Sequence, residues 1–203
     1  MIFDDYSVAY SLTLSDKYEI EDVENRRLRL NDTVDDGVLD TIAYLILRYN
    51  RLDENIEPQE RQPIILYINS DGGETSAGFG LIDIILNSKT PIYTVNLAKS
   101  HSMACLIFLA GDKRYALSHS TFLLHDGSAG LFSSVGKMQN FMDFIKNHLE
   151  KETKDFVLLR SKISDEEYDK KYYNDWWFSA QEGKDIGVVD YIIGEDCPMS
   201  DVV

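Results

Sequence analysis

Along the middle of the chain, short apolar runs alternate with glycine- or serine-bearing turns and amphipathic stretches. Ile64-Ile65-Leu66-Tyr67-Ile68-Asn69 leads through Asp71-Gly72-Gly73 into a helical pattern from about Ser76 to Leu86. Ile92 to Leu97 leads past Ser102 into an apolar helical run from Met103 to Ala110. Tyr115-Ala116-Leu117 and Thr121 to Leu124 lead past His125 into a Gly/Ser loop. A long helix follows from Val135 to Lys162, with Met138, Phe141, Ile145, Leu149, Phe156 and Leu159 as its apolar stripe. Short apolar runs between turn signals read as buried strands, and the 3.6-residue spacing after them reads as helix. Three strand–turn–helix units in succession predict an α/β fold with a mainly parallel sheet.

The flanks add smaller elements. Arg27-Leu28-Arg29-Leu30 alternates like a short strand, and Val38, Ile42, Leu45, Tyr49 and Leu52 predict a helix from Gly37 to Leu52. Glu54 to Gln62, with Pro58, reads as a surface loop. Residues 1–26 show no clear period and read as a peripheral N-terminal arm, leaving 27–203 as one domain. Ser164-x-x-Glu167 and Ser179-x-x-Glu182 are capping-box patterns that open two short helices, and Val188 to Ile193 reads as a closing strand.

Charge and cysteines narrow the function classes. A net charge of −15 argues against a nucleic-acid partner and against anionic membrane surfaces. No apolar run approaches the roughly 20 residues of a spanning helix. The acidic start, Met1-Ile2-Phe3-Asp4-Asp5, is unlike a secretory signal. Cys105 and Cys197 form no CxxC, and no histidine stands at zinc spacing, which fits a reducing compartment and no metal site. A cytoplasmic protein is expected.

In open parallel sheets, ligands bind beyond the carboxyl ends of the strands, where Gly73, Ser102 and His125 all fall. A serine at a strand-to-helix turn offers an exposed hydroxyl beside unpaired N–H groups of the helix start, the arrangement acyl transfer needs. With His125 and Asp175 the chain presents nucleophile, base and orienter in the order Ser…His…Asp. Each has an ordinary reading as well: Ser102 as an N-cap, His125 as a buried hydrogen-bonding group, Asp175 as a turn residue. Asp71-Gly72-Gly73 reads as a tight turn, as a phosphate loop lacking the rest of that motif, or as a place where a backbone N–H approaches a substrate carbonyl. His101, His119 and His148 have no partner at ligand or triad spacing and read as structural or surface residues. Trp176 and Trp177 read as core or interface anchors.

Together these segments resemble one family. Tyr67-Ile68-Asn69-Ser70-Asp71-Gly72-Gly73 with Ala77-Gly78, Ser102-Met103-Ala104, Leu123-Leu124-His125, the run Asp175 to Glu182, and Gly187-Val188-Val189-Asp190 are similar, in order and spacing, to motifs of the Clp protease proteolytic subunit (ClpP) family. The resemblance implies a ClpP/crotonase-like spiral of ββα units with a long protruding helix that forms a handle between rings. It implies serine endopeptidase activity on polypeptides inside a homo-oligomeric ring (a heptamer or stacked heptamers), with an AAA+ unfoldase as partner and no cofactor. Ser102 takes the place of the nucleophile, His125 of the general base and Asp175 of its orienter, while Gly73 and Met103 would supply oxyanion-hole N–H groups. The chain departs from the pattern at Asp71 (usually Pro), at Lys99-Ser100-His101 (usually small residues), at Asp126-Gly127 (usually Gln-Pro) and at Asn174 (often an Arg that pairs across rings). A non-hydrolytic scaffold subunit of a mixed ring and a crotonase-type acyl-CoA enzyme are the alternative functions.

Overall fold

Parallel pairing dominates the sheet, as the strand–turn–helix repetition predicts. The structure is a computed structural model that describes residues 13–128, 130 and 132–203. Strands β1 (Arg27–Leu30), β2 (Ile64–Ser70), β3 (Ile92–His101), β4 (Lys113–Leu117) and β7 (Tyr191–Ile193) lie side by side in the order β1-β2-β3-β4-β7, all parallel. Strand β5 (Thr121–Leu124) adds to β3 in parallel, and β6 (Trp176–Ser179) pairs antiparallel with β5.

Strand β3 is longer than its apolar run. Tyr93 to Asn96 pair with β4, whereas Lys99, Ser100 and His101 pair with Thr121, Phe122 and Leu123 of β5, so the sheet forks after Asn96. Sequence periodicity ends the strand at Leu97. Backbone partners on β5 carry it four residues further, through a polar stretch with no strand-like hydrophobic pattern.

Helices α2 (Tyr44–Leu52), α3 (Thr75–Leu86) and α4 (Met103–Leu109) bury their apolar side chains with those of β1 and β2. Alternation along β2 separates two clusters: Leu66 and Ile68 join the main core, whereas Ile65 and Tyr67 join a smaller one with Val95, Tyr115, Ile193 and Val202. All seven residues of α4 are buried, as expected of a helix that is apolar all round. Its close approach to α3 depends on Gly78, where an added Cβ would lie 2.1 Å from the Met103 Cγ.

The other helices show where periodicity misleads. The first predicted helix is split into a π-helical turn, Leu39–Ala43, and α2, and its expected core residue Leu52 is exposed. The long helix is α5 (Val135–Phe144), a π-helical segment Ile145–Leu149, and α6 (Glu150–Arg160). Neither α5 nor the π segment buries a residue, and in α6 the core takes Val157 rather than Leu159. Helix α7 (Asp165–Lys171) has only half of its capping box, the Ser164 hydroxyl accepting from Glu167 N; α8 (Ala180–Asp185) has both halves. Strand β7 begins at Tyr191, because the N–H groups of Val188 and Val189 turn back to the Gly183 carbonyl.

Residues 14–24, within the segment expected to be a peripheral arm, form a helix, α1 (Leu14–Glu24), opened by a Thr13–Asp16 capping box. None of its residues is buried, so no apolar period marks it. Residues 1–12 of the arm lie outside the described residues. Among the described residues, no helix is long and apolar enough to cross a membrane.

Candidate active site

Strand register brings the three candidate side chains to one edge of the sheet. His101 of β3 stands beside Leu123 of β5, and the Ser102 N–H donates to the Leu123 carbonyl at 2.9 Å. Leu124 stands opposite Trp176 of antiparallel β6, so the residue after β5, His125, faces the residue before β6, Asp175. Antiparallel β6 therefore returns Asp175 to the carboxyl edge that parallel pairing gives Ser102 and His125.

Ser102 sits at φ 53°, ψ −126°, a conformation disfavoured for a residue with a Cβ. Its side chain makes no capping bond to α4, so the N-cap reading does not describe it. Instead its Oγ lies 2.8 Å from His125 Nε2. His125 Nδ1 lies 3.3 Å from Asp175 Oδ1. A carboxylate at this distance favours the tautomer with the proton on Nδ1, which leaves Nε2 free to accept the Ser102 hydroxyl proton. Asp175 is itself left-handed (φ 47°, ψ 81°), and its carboxylate is largely exposed.

The Asp71-Gly72-Gly73 turn lies directly against Ser102. A Cβ on Gly72 (φ 94°) would fall 2.6 Å from the His101 carbonyl oxygen, 2.8 Å from the Ser102 Cβ and 2.9 Å from the Met103 nitrogen. Gly73 forms a parallel bridge with Val34, in which Val34 N donates to Gly72 O and Glu74 N donates to Val34 O. In such a bridge the residue between the two bonds turns its own N–H away. Among the described residues, the Gly73 and Met103 N–H groups have no hydrogen-bond acceptor in the chain, whereas the Ser102 N–H is already used. Two free donors beside a hydroxyl–imidazole pair can hold a developing oxyanion.

Sequence reasoning missed the polar residues beside this site. His101 has partners: Nδ1 lies 3.3 Å from Asp71 Oδ1, and Nε2 lies 3.0 Å from Thr121 Oγ1. Lys99 forms an ion pair with the same Asp71, which holds that carboxyl below its ordinary value. Burial lowers His101, and the opposing pull of Asp71 does not restore it. Trp176 is a core residue, but Trp177 is more than half exposed and meets the His101 ring edge-on at 4.9 Å. The available signal was the coincidence of two departures, an acid at 71 with Lys and His at 99 and 101.

A family profile described as Clp protease matches residues 17–196. The chain is 30% identical over 189 residues to the ATP-dependent Clp protease proteolytic subunit 2 of Nocardia farcinica, covering 92% of this chain and 90% of that protein. It is 29% identical to proteolytic subunit 1 of Frankia casuarinae (83% and 77% covered) and 27% identical to proteolytic subunit 2 of Rhodococcus jostii (92% and 93%).

Proposed function

The chain belongs to the Clp protease family, and from that premise we propose that Ser102, His125 and Asp175 form the catalytic triad of a Clp-type serine peptidase, with Gly73 and Met103 N–H as its oxyanion hole. Ser102 Oγ attacks the scissile carbonyl while His125 Nε2 takes its proton. The two N–H groups hold the negative oxygen of the tetrahedral intermediate. The imidazolium then protonates the leaving amine, and water repeats the sequence to release the acyl group. Asp175 keeps the proton of the neutral ring on Nδ1 throughout. The 2.8 Å contact between Ser102 Oγ and His125 Nε2 carries this reading, because it puts the base within proton-transfer reach of the nucleophile.

We read the substrate as unfolded polypeptide or peptide, and residues 27–203 as one peptidase domain with residues 1–26 as an arm. The names of the relatives, ATP-dependent proteolytic subunits, support assembly into a homo-oligomeric ring, a heptamer or stacked heptamers, fed by an AAA+ unfoldase. Exposed Val135, Met142 and Phe144 on the unburied α5 support such an assembly, since apolar surface of this kind marks an interface. Free Cys105 and Cys197 accord with a cytoplasmic location.

Hydrolysis of a fluorogenic peptide by wild type and Ser102→Ala tests the reading. Loss of one triad member costs roughly 10⁴ to 10⁶ in turnover, and the melting temperature should stay near that of wild type. Hydrolysis by Ser102→Ala at the wild-type rate would overturn it.

A further inference from the structure

Four chain segments carry the proposed chemistry, and one residue outside it joins all four, one through its backbone and three through its side chain. His101 is bonded through its own backbone to Ser102. Its Nδ1 lies 3.3 Å from Asp71, two residues before Gly73. Its Nε2 lies 3.0 Å from Thr121, at the start of the strand that ends beside His125. Its ring meets the edge of Trp177, two residues after Asp175, at 4.9 Å and 80°. Resting on the reading of Ser102 as nucleophile, we propose that His101 is a positioning residue: its neutral imidazole ties the glycine turn to β5 and β6 and so holds Ser102 in its strained conformation against the oxyanion donors.

The proton inventory is consistent with this role. Lys99 keeps Asp71 ionised, so Asp71 accepts the proton of Nδ1. Nε2 then presents a lone pair to the Thr121 hydroxyl, whose single proton goes to this nitrogen at 3.0 Å rather than to the Ala98 carbonyl at 3.4 Å. Asp71 and Lys99 are the titratable groups that face the ring; Thr121 and Trp177, its contacts from β5 and β6, do not ionise. Burial keeps the ring neutral around pH 7.

The leverage is steric. The Gly72 Cα packs under the His101 carbonyl, the Ser102 Cβ and the Met103 nitrogen with no room for even a methyl group. Any shift of the Asp71 turn therefore passes directly to the nucleophile and to one oxyanion donor. A backbone at φ 53°, ψ −126° persists only where its surroundings over-determine it. His101 supplies three of those constraints from one side chain.

The test is the second-order rate of fluorophosphonate labelling, which reports nucleophile and oxyanion alignment without peptide binding. It is measured for wild type, His101→Ala, Asp71→Ala and their double variant, alongside kcat, KM and melting temperature. Misplacement on the ångström scale costs up to about 100-fold, so each single variant should label and turn over roughly 10- to 100-fold more slowly, with KM little changed. The double variant should be no slower than His101→Ala, because both changes cut the same tie. His101→Asn, which keeps a donor near the Nδ1 position, should recover part of the rate and covers the case in which His101→Ala does not fold. Labelling of the variants at the wild-type rate, or single-variant costs that multiply in the double variant, would overturn the proposal. Wild type that does not label at Ser102 at all would instead overturn the triad reading, and this inference with it.

Discussion

The two ends of the parallel sheet are built for different purposes. At the amino ends, charged side chains tie the strands together. Arg26, just before β1, forms a bidentate pair with Asp53, which is nearly inaccessible to water and also accepts from Thr90, just before β3. Asp112 accepts from the first N–H of β3, and Arg114 of β4 chelates Asp190, just before β7. Arg26 is left-handed at φ 59°, but the Asp53 contact holds it in place. At the carboxyl ends the proposed catalytic groups are instead strained or unpaired among the described residues: Ser102 at positive φ, free N–H groups on Gly73 and Met103, and an exposed Asp175. The contrast teaches that buried charge pairs secure the amino edge, whereas the edge carrying the proposed catalytic groups is positioned by packing, register and the more exposed His101–Asp71–Lys99 contacts.

Substitutions at the two ends should therefore separate activity from stability. The largest effect is expected from Asp175→Asn, whose amide would favour the wrong His125 tautomer and lower turnover by about 10⁴. Because the Asp175 side chain is 64% exposed, its melting temperature should match wild type; a collapse in stability would break the comparison. Asp53→Ala should do the reverse. Removing one partner of a buried pair costs about 3 kcal/mol, a fall of roughly 6–12 °C in melting temperature for a chain of this size, with kcat per folded molecule unchanged.

The pH dependence of that second difference sharpens the contrast further. The Arg26 hydrogen bonds hold Asp53 below its ordinary value of 3.8. A depressed carboxyl contributes its stability fully above that value and loses it as pH falls through the folded-state value. Denaturant titrations should thus show the gap between wild type and Asp53→Ala constant from neutral pH down to about 4 and narrowing only below it. A gap that closed between pH 7 and 5 would point to another group.

Much of this architecture was legible in the residues, for identifiable reasons. Strands β2 and β3, with the turns at Gly73 and Ser102, announced themselves because parallel strands buried on both faces are written as unbroken apolar runs ending in small residues. His125 and Asp175 could be named as partners because each stands at an element boundary, but only the antiparallel register of β6 explains why they meet. What stayed hidden depends on contacts distant in sequence. The Asp53–Arg26 pair spans 27 positions, with Arg26 in the aperiodic arm expected from the sequence and Asp53 between the predicted helix and loop. The Lys99-Ser100-His101 extension of β3 has no hydrophobic alternation, and its strand character comes from backbone partners on β5 and from Ser70 of β2 opposite Ser100. His101 seemed partnerless because its partners, Asp71 and Thr121, are 30 and 20 residues away.

The central claim is that Ser102 is an activated nucleophile at the carboxyl edge. Mass mapping of a fluorophosphonate adduct on the native protein at neutral pH tests it most directly. The account predicts one modified serine, Ser102, with no adduct formed on His125→Ala or on protein denatured before labelling. No adduct on the native protein, or one on another serine that survives His125→Ala, would contradict it.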